Sequence, residues 1–144
     1  MSGVYAKDRK PTTFDPIITA AKLQDAVTIY VMNEKYVPKR WRLIVGVDLI
    51  QKVDELNDNV IAANTIYATD ETKLERRKEL QLRAIANCYQ IDRKLQRMAR
   101  VIPTATPSSM HGILEHLTNE VDYLRDWRKH DKIRQPGKKE PAKK

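Results

Sequence analysis

A chain of 144 residues suits one domain with a real core, yet is small enough that oligomerisation would add to its stability. Four glycines and a single phenylalanine argue against a sheet-rich fold with tight turns, and a lone cysteine, Cys88, rules out an intramolecular disulfide framework. The formal charge is +8, no apolar run approaches the ~20 residues of a membrane span, and residues 1–10 carry no signal-peptide pattern, so the expectation is a basic, cytoplasmic protein without a membrane partner.

Residues 1–14 are polar and basic without a period and read as a flexible basic arm. Asp15-Pro16 then predicts a helix start, with Asp15 accepting a free N–H and Pro16 at the first helical position. Ala20, Leu23, Val27, Tyr30 and Val31 mark the inner face of a first helix over residues 16–35. Val37-Pro38 breaks it, because the residue before a proline is pushed out of the helical region.

Lys39-Arg40-Trp41-Arg42 follows, three cations around one indole. Arginine and tryptophan both stack on bases, which makes Lys39, Arg40 and Arg42 candidate nucleic-acid contacts. Trp41 itself reads as a core anchor for a second helix over residues 40–68. Its seam of Leu49, Val53, Leu56, Val60, Ala63 and Tyr67 steps by fours and threes, which favours nearly aligned packing. Gly46 lowers helix propensity there, and a close approach between helices would account for it. Asn64, beside the seam, is either a buried polar device fixing register or an exposed side chain.

Thr69-Asp70 turns into the longest element, a helix over residues 72–101 with neither glycine nor proline inside it. Thr72-x-x-Glu75 has the spacing of a capping box, and Pro103 stops the helix. Leu82, Ile85, Cys88, Ile91, Leu95, Met98 and Ile102 recur at helical steps as a buried face. Arg76, Arg83, Arg93, Lys94, Arg97 and Arg100 collect opposite them. From Arg76 to Arg100 there are eight bases against two acids, Glu79 and Asp92. A solvated face usually mixes its signs as i,i+4 pairs, and only Glu79–Arg83 is such a pair. The face therefore reads either as solvated surface or as a track for phosphates. The acidic second helix, lying antiparallel beside it, would neutralise some of these bases inside the bundle.

Thr106-Pro107 repeats the cap-plus-proline start, and Met110, Ile113 or Leu114, Leu117, Val121, Leu124 and Trp127 predict a fourth helix ending near residue 133. Gln135-Pro136-Gly137 ends it, and residues 135–144 read as a disordered basic tail that could bind a polyanion or only solubilise. The charge is uneven: residues 1–10 carry +2, residues 128–144 carry +6, and the stretch between is neutral but polarised, acidic over residues 48–71 and basic after it. The prediction is an all-α, antiparallel up-down-up-down four-helix bundle over residues 15–134.

His111, His116 and His130 lack metal-ligand spacing, no P-loop or nucleophile elbow occurs, and no paired Glu-x-x-His motif is present. Neither an enzyme nor a metal or cofactor is expected.

Certain stretches carry a resemblance by their order and spacing: the YVPKRWR turn at residues 36–42, IAAN at 61–64, the arginine-containing third helix at 75–100, and Leu-x-x-Trp at 124–127. Together, over residues 16–133, they resemble the four-helix-bundle family that includes the accessory variability determinant (Avd) of diversity-generating retroelements and the proteins encoded in intervening sequences of bacterial 23S rRNA genes. The resemblance implies a ring-like homopentamer with a positive surface. It also implies association with a reverse transcriptase and template RNA during mutagenic cDNA synthesis, without chemistry of its own. Carried over by position, the bases of the third helix are the nucleic-acid candidates. The long basic extension after Trp127 departs from the family. A second expectation, from another class, is a structural homo-oligomeric scaffold in which acids of helix two of one protomer meet bases of helix three of the next.

Overall fold

Apolar residues at steps of three and four make helices, and the computed structural model, which describes residues 14–134, contains four of them and no strand among those residues. Helix α1 is Asp15–Met32. Helix α2 is Val47–Thr65, led in by one α-helical turn, Lys39–Trp41, and a π-helical turn, Arg42–Gly46. Helix α3 is Glu71–Val101, and α4 is His111–His130, entered through a 3-10 turn, Pro107–Met110. The expected basic arm and tail lie outside the described residues, Phe14 excepted.

Helix α1 packs against α2 and α4, and α3 packs against the same two. The core between them is one cluster running from Ala20 to Leu124, with Leu23, Val27, Leu49, Leu56, Ile91, Leu95 and Met98 essentially sealed from solvent. Each such aliphatic side chain contributes ~1.5–3 kcal/mol by leaving water. Cross-helix polar contacts set the register. Gln24 donates to Asp54 and Asn57 to the Ala20 carbonyl, while Asn59 donates to Asn87 and Asn87 to Glu55.

Helix ends differ from expectation where local hydrogen bonds decide them. Asp15 lies in the first turn of α1 and caps nothing; the N-cap position is Phe14. Asp15 acts there through its charge on the helix dipole. The helix ends at Met32, where the Asn33 N–H bonds the Tyr30 carbonyl. The cap of α3 is Asp70, which accepts from the Lys73 N–H at 2.9 Å, so Thr72 sits inside the helix and the expected capping box does not form. Helix α2 stops at Thr65, short of Ala68, because the chain extends at Ile66. Tyr67 is thereby turned outward and Ala68 is buried in its place. Helix α4 ends at His130 rather than near residue 133.

Gly46 is where a close approach does require glycine: a Cβ there would stand 2.7 Å from Cγ1 of Val31 on α1. Val31 is β-branched and has little freedom to turn away. The π turn falls at this crossing, and Arg42 within it donates to the carbonyls of Val31 at 3.2 Å and Met32 at 2.9 Å, filling the open end of α1.

Candidate nucleic-acid interface

Helix α3 buries Ala84, Ile85, Cys88, Ile91, Leu95 and Met98 against its neighbours, which turns Arg76, Arg83, Arg93 and Arg100 to solvent. Leu82, expected inside, is half exposed, and Gln81 holds the fully buried position instead. The outward face divides in two. Toward the N-terminus Arg83 faces Glu79 at 3.5 Å, both well exposed, and Arg76 has no ion pair among the described residues. An exposed i,i+4 pair of this kind stabilises by no more than ~0.5 kcal/mol.

Toward the C-terminus the balance of sign changes. Asp48, in the first turn of α2, uses one oxygen for both Lys94 Nζ at 2.7 Å and Arg97 at 3.3 Å. Arg93 and Arg100 are exposed and have no ion pair among the described residues. These four bases, with Gln90 and Lys52 of α2, line an open depression of about 400 Å³. Lys52 is turned toward Glu55 at 2.9 Å. The hydrogen bonds from Lys52 and Asn87 hold the Glu55 carboxyl below the usual carboxylate range. Five cations thus line the depression, and two carboxylates outside its lining, Asp48 and Glu55, reach three of them; the Arg97 Nε is enclosed without a partner among the described residues while its Nη2 reaches Asp48. A recess lined by one sign of charge concentrates counter-ions.

The remaining sequence-predicted bases lie elsewhere. Arg83 is about 15 Å along the helix from Arg93, and Arg76 lies further still. Lys39 and Arg40 are exposed at the start of the α2 lead-in, and the Arg40 guanidinium lies 6.0 Å from the centre of the Trp41 ring. Trp41 is partly buried against the core, as an anchor should be, although its indole N–H is enclosed without a partner among the described residues. Arg42 is largely withdrawn: its donors go to the two α1 carbonyls, and Glu34 lies 3.9 Å away. The structure therefore gathers Arg93, Lys94, Arg97 and Arg100 into one site and leaves Arg76, Arg83, Lys39, Arg40 and Arg42 outside it. Sequence spacing does not assign Lys52 or Gln90 to this site; the register of α2 on α3 is what brings Lys52 in, and Gln90 joins from α3 itself.

A buried arginine, Arg77, occupies the other end of α3. It donates from Nε to Asp131 at 2.6 Å and from Nη1 to the Ile66 carbonyl at 2.7 Å, with its guanidinium over the Trp127 ring. Gln81 donates to the same Asp131 oxygen at 2.7 Å. In α4, Glu120 is completely buried with neither carboxyl oxygen hydrogen-bonded among the described residues, and burial pushes its carboxyl up to about 9, with Asp15 adding to the shift. Cys88 is buried too, and desolvation first, then Glu120, pushes its thiol above the ordinary range, away from thiolate chemistry. Among the described residues no group of three or more His, Cys, Asp or Glu side chains could hold a metal ion, and no helix is long and apolar enough to cross a membrane.

Over the described residues the molecule is, by class, all-helical, with four helices and a cationic recess on the third. No protein-family model matches the chain, and no curated protein or solved structure matches it either.

Proposed function

We propose that this chain is a non-catalytic accessory protein that holds nucleic acid, RNA in the first instance, on the outer face of α3. The observation that carries this reading is the state of Arg93 and Arg100. They border a recess in which one carboxylate, Asp48, already serves two other bases, so their charge is available to an incoming anion. Phosphates along a nucleic-acid backbone supply such anions at regular spacing, and contacts of this kind position a strand without reading its sequence. Lys39 and Arg40, with Arg76 and Arg83, would extend the track.

In its finer form the reading is an antiparallel up-down-up-down bundle assembled into a ring-like homopentamer. Such a ring would serve the reverse transcriptase of a diversity-generating retroelement during mutagenic cDNA synthesis. The register contacts support the antiparallel arrangement, since Asp48 meets Lys94, Glu55 meets Asn87 and Ile66 meets Arg77 in descending order along α3. The retroelement, the polymerase and the ring rest on the family resemblance.

The test is retention of structured RNA at low salt by the full chain and by an Arg93→Ala/Arg97→Ala/Arg100→Ala variant, with helicity of both checked by circular dichroism. Wild-type retention by the folded variant would refute the reading. A structural scaffold remains the second reading, favoured by the exposed Asp58 of α2, which has no ion pair among the described residues and could meet bases of another protomer. That scaffold would dissociate in high salt and retain no RNA at low salt.

A further inference from the structure

The lead-in to α2 carries an apolar surface that the nucleic-acid reading leaves unexplained. Leu43 is 85% exposed and Ile44 is 66% exposed, and Val47 follows them on the same outward side while Val45 and Gly46 face inward. Ile29 and Met32 of α1 are also exposed. They belong to the same end of the bundle, because Arg42 bonds the Val31 and Met32 carbonyls and Gly46 abuts Val31. Five apolar side chains, two from α1, two from the π turn and one from the start of α2, exceed the scattered single exposures normal for a surface.

This patch has cations at both edges. Lys39 and Arg40 lie one turn before Leu43 and Ile44, exposed. At the other edge Val47 adjoins Asp48, whose carboxylate reaches Lys94 and Arg97, and beyond them stands the exposed Arg100, with no ion pair among the described residues. A bare phosphate backbone has no use for aliphatic side chains. A rod with an apolar stripe and carboxylates on both flanks matches the whole arrangement, and an amphipathic helix presents such a stripe at steps of three and four. Arg42 and Gly46 fix the segment against α1, so the patch is held in place before any partner arrives.

We propose that the surface formed by Ile29, Met32, Leu43, Ile44 and Val47, edged by Lys39, Arg40 and Arg100, docks an acidic amphipathic helix of a partner protein. This adds a protein-binding surface to the nucleic-acid face and does not depend on RNA binding being correct. Opposite charge at the edges speeds encounter and sets orientation, while the aliphatic centre supplies the affinity.

The test uses the full chain and a fluorescently labelled synthetic peptide with leucines at helical spacing and glutamates on both flanks. Comparison peptides are one of the same composition in scrambled order and one with lysine in place of glutamate. Binding of the ordered acidic peptide at least ~10-fold tighter than either comparison is expected. A Leu43→Ser/Ile44→Ser variant should lose that preference while keeping its thermal midpoint and its RNA retention. Equal binding of ordered and scrambled peptides would overturn the proposal, as would an undiminished preference in the variant. Two further measurements on the same samples count against it. One is sedimentation with phosphatidylserine-containing vesicles that the variant loses, which would assign the patch to a lipid surface. The other is an oligomer in light scattering that the variant dissolves, which would assign it to a second copy of this chain. RNA retention read in parallel separates failure of this proposal from failure of the nucleic-acid reading.

Discussion

Arg77 and Arg93 project from one helix, roughly 24 Å apart along its axis, and their surroundings give the same guanidinium two different uses. Arg77 is enclosed by Asp131, the Ile66 carbonyl and the Trp127 ring, so every interaction it makes is internal and holds the α2–α3 turn to the end of α4. Arg93 stands in solvent beside a recess where the Asp48 carboxylate is already shared by Lys94 and Arg97. Burial, not residue type, separates an arginine that stabilises the fold from one available to a ligand. Sequence spacing alone counts both among the same eight bases.

The contrast can be broken most forcefully at the buried end. Arg77→Ala leaves Asp131 without its cation and should cost about 3–5 kcal/mol in urea denaturation. RNA retention by the fraction still folded should not change. A loss below ~1 kcal/mol would mean that Arg77 is not the internal tie described.

Glu120 sharpens the comparison from the acid side. Its folded carboxyl titrates at about 9, above the 4.5 of a free glutamate. Between those values the unfolded chain releases a proton that the folded chain keeps, so stability falls as pH rises through that window. The slope is on the order of 1 kcal/mol per pH unit. Glu120→Gln should remove this slope and be more stable by roughly 3 kcal/mol near neutrality. Denaturation of both proteins across the window checks it; parallel curves would contradict it.

Smaller effects follow. Gly46→Ala places a methyl against Val31 and should lower stability by ~1–2 kcal/mol, measured as a fall in thermal midpoint. Arg83→Ala removes only the exposed pair with Glu79 and should change stability by less than ~0.5 kcal/mol. A larger loss would erase the distinction between the two ends of α3.

The helices themselves were legible because apolar steps of three and four dominate each of them. Gly46 was legible too, since a glycine within a strong helical pattern needs a steric reason and Val31 supplies it. Periodicity failed where a polar side chain took a core position. Gln81 displaced Leu82 because its amide reaches Asp131, fifty residues on, and nothing near Gln81 in sequence announces that partner. Glu120 lies on the same face of α4 as Ile113, Leu117 and Leu124, yet a glutamate in a helix reads as surface. The recess was half legible. The bases of α3 showed in the spacing, whereas Lys52 and Asp48 join them only through the register of α2, which no local pattern encodes. Arg42 was misleading for the same reason: its role is set by the open carbonyl end of α1, ten residues earlier in the chain.

The most direct test of the unspent cations at Arg93 and Arg100 is the salt dependence of single-stranded RNA binding, plotted as log affinity against log salt for the wild type and the Arg93→Ala/Arg97→Ala/Arg100→Ala variant. With about four phosphates neutralised in the recess, the wild-type slope should be close to −3, and the variant's shallower by about 2. A flat wild-type line, or two lines of equal slope, would show that these guanidiniums do not meet phosphate.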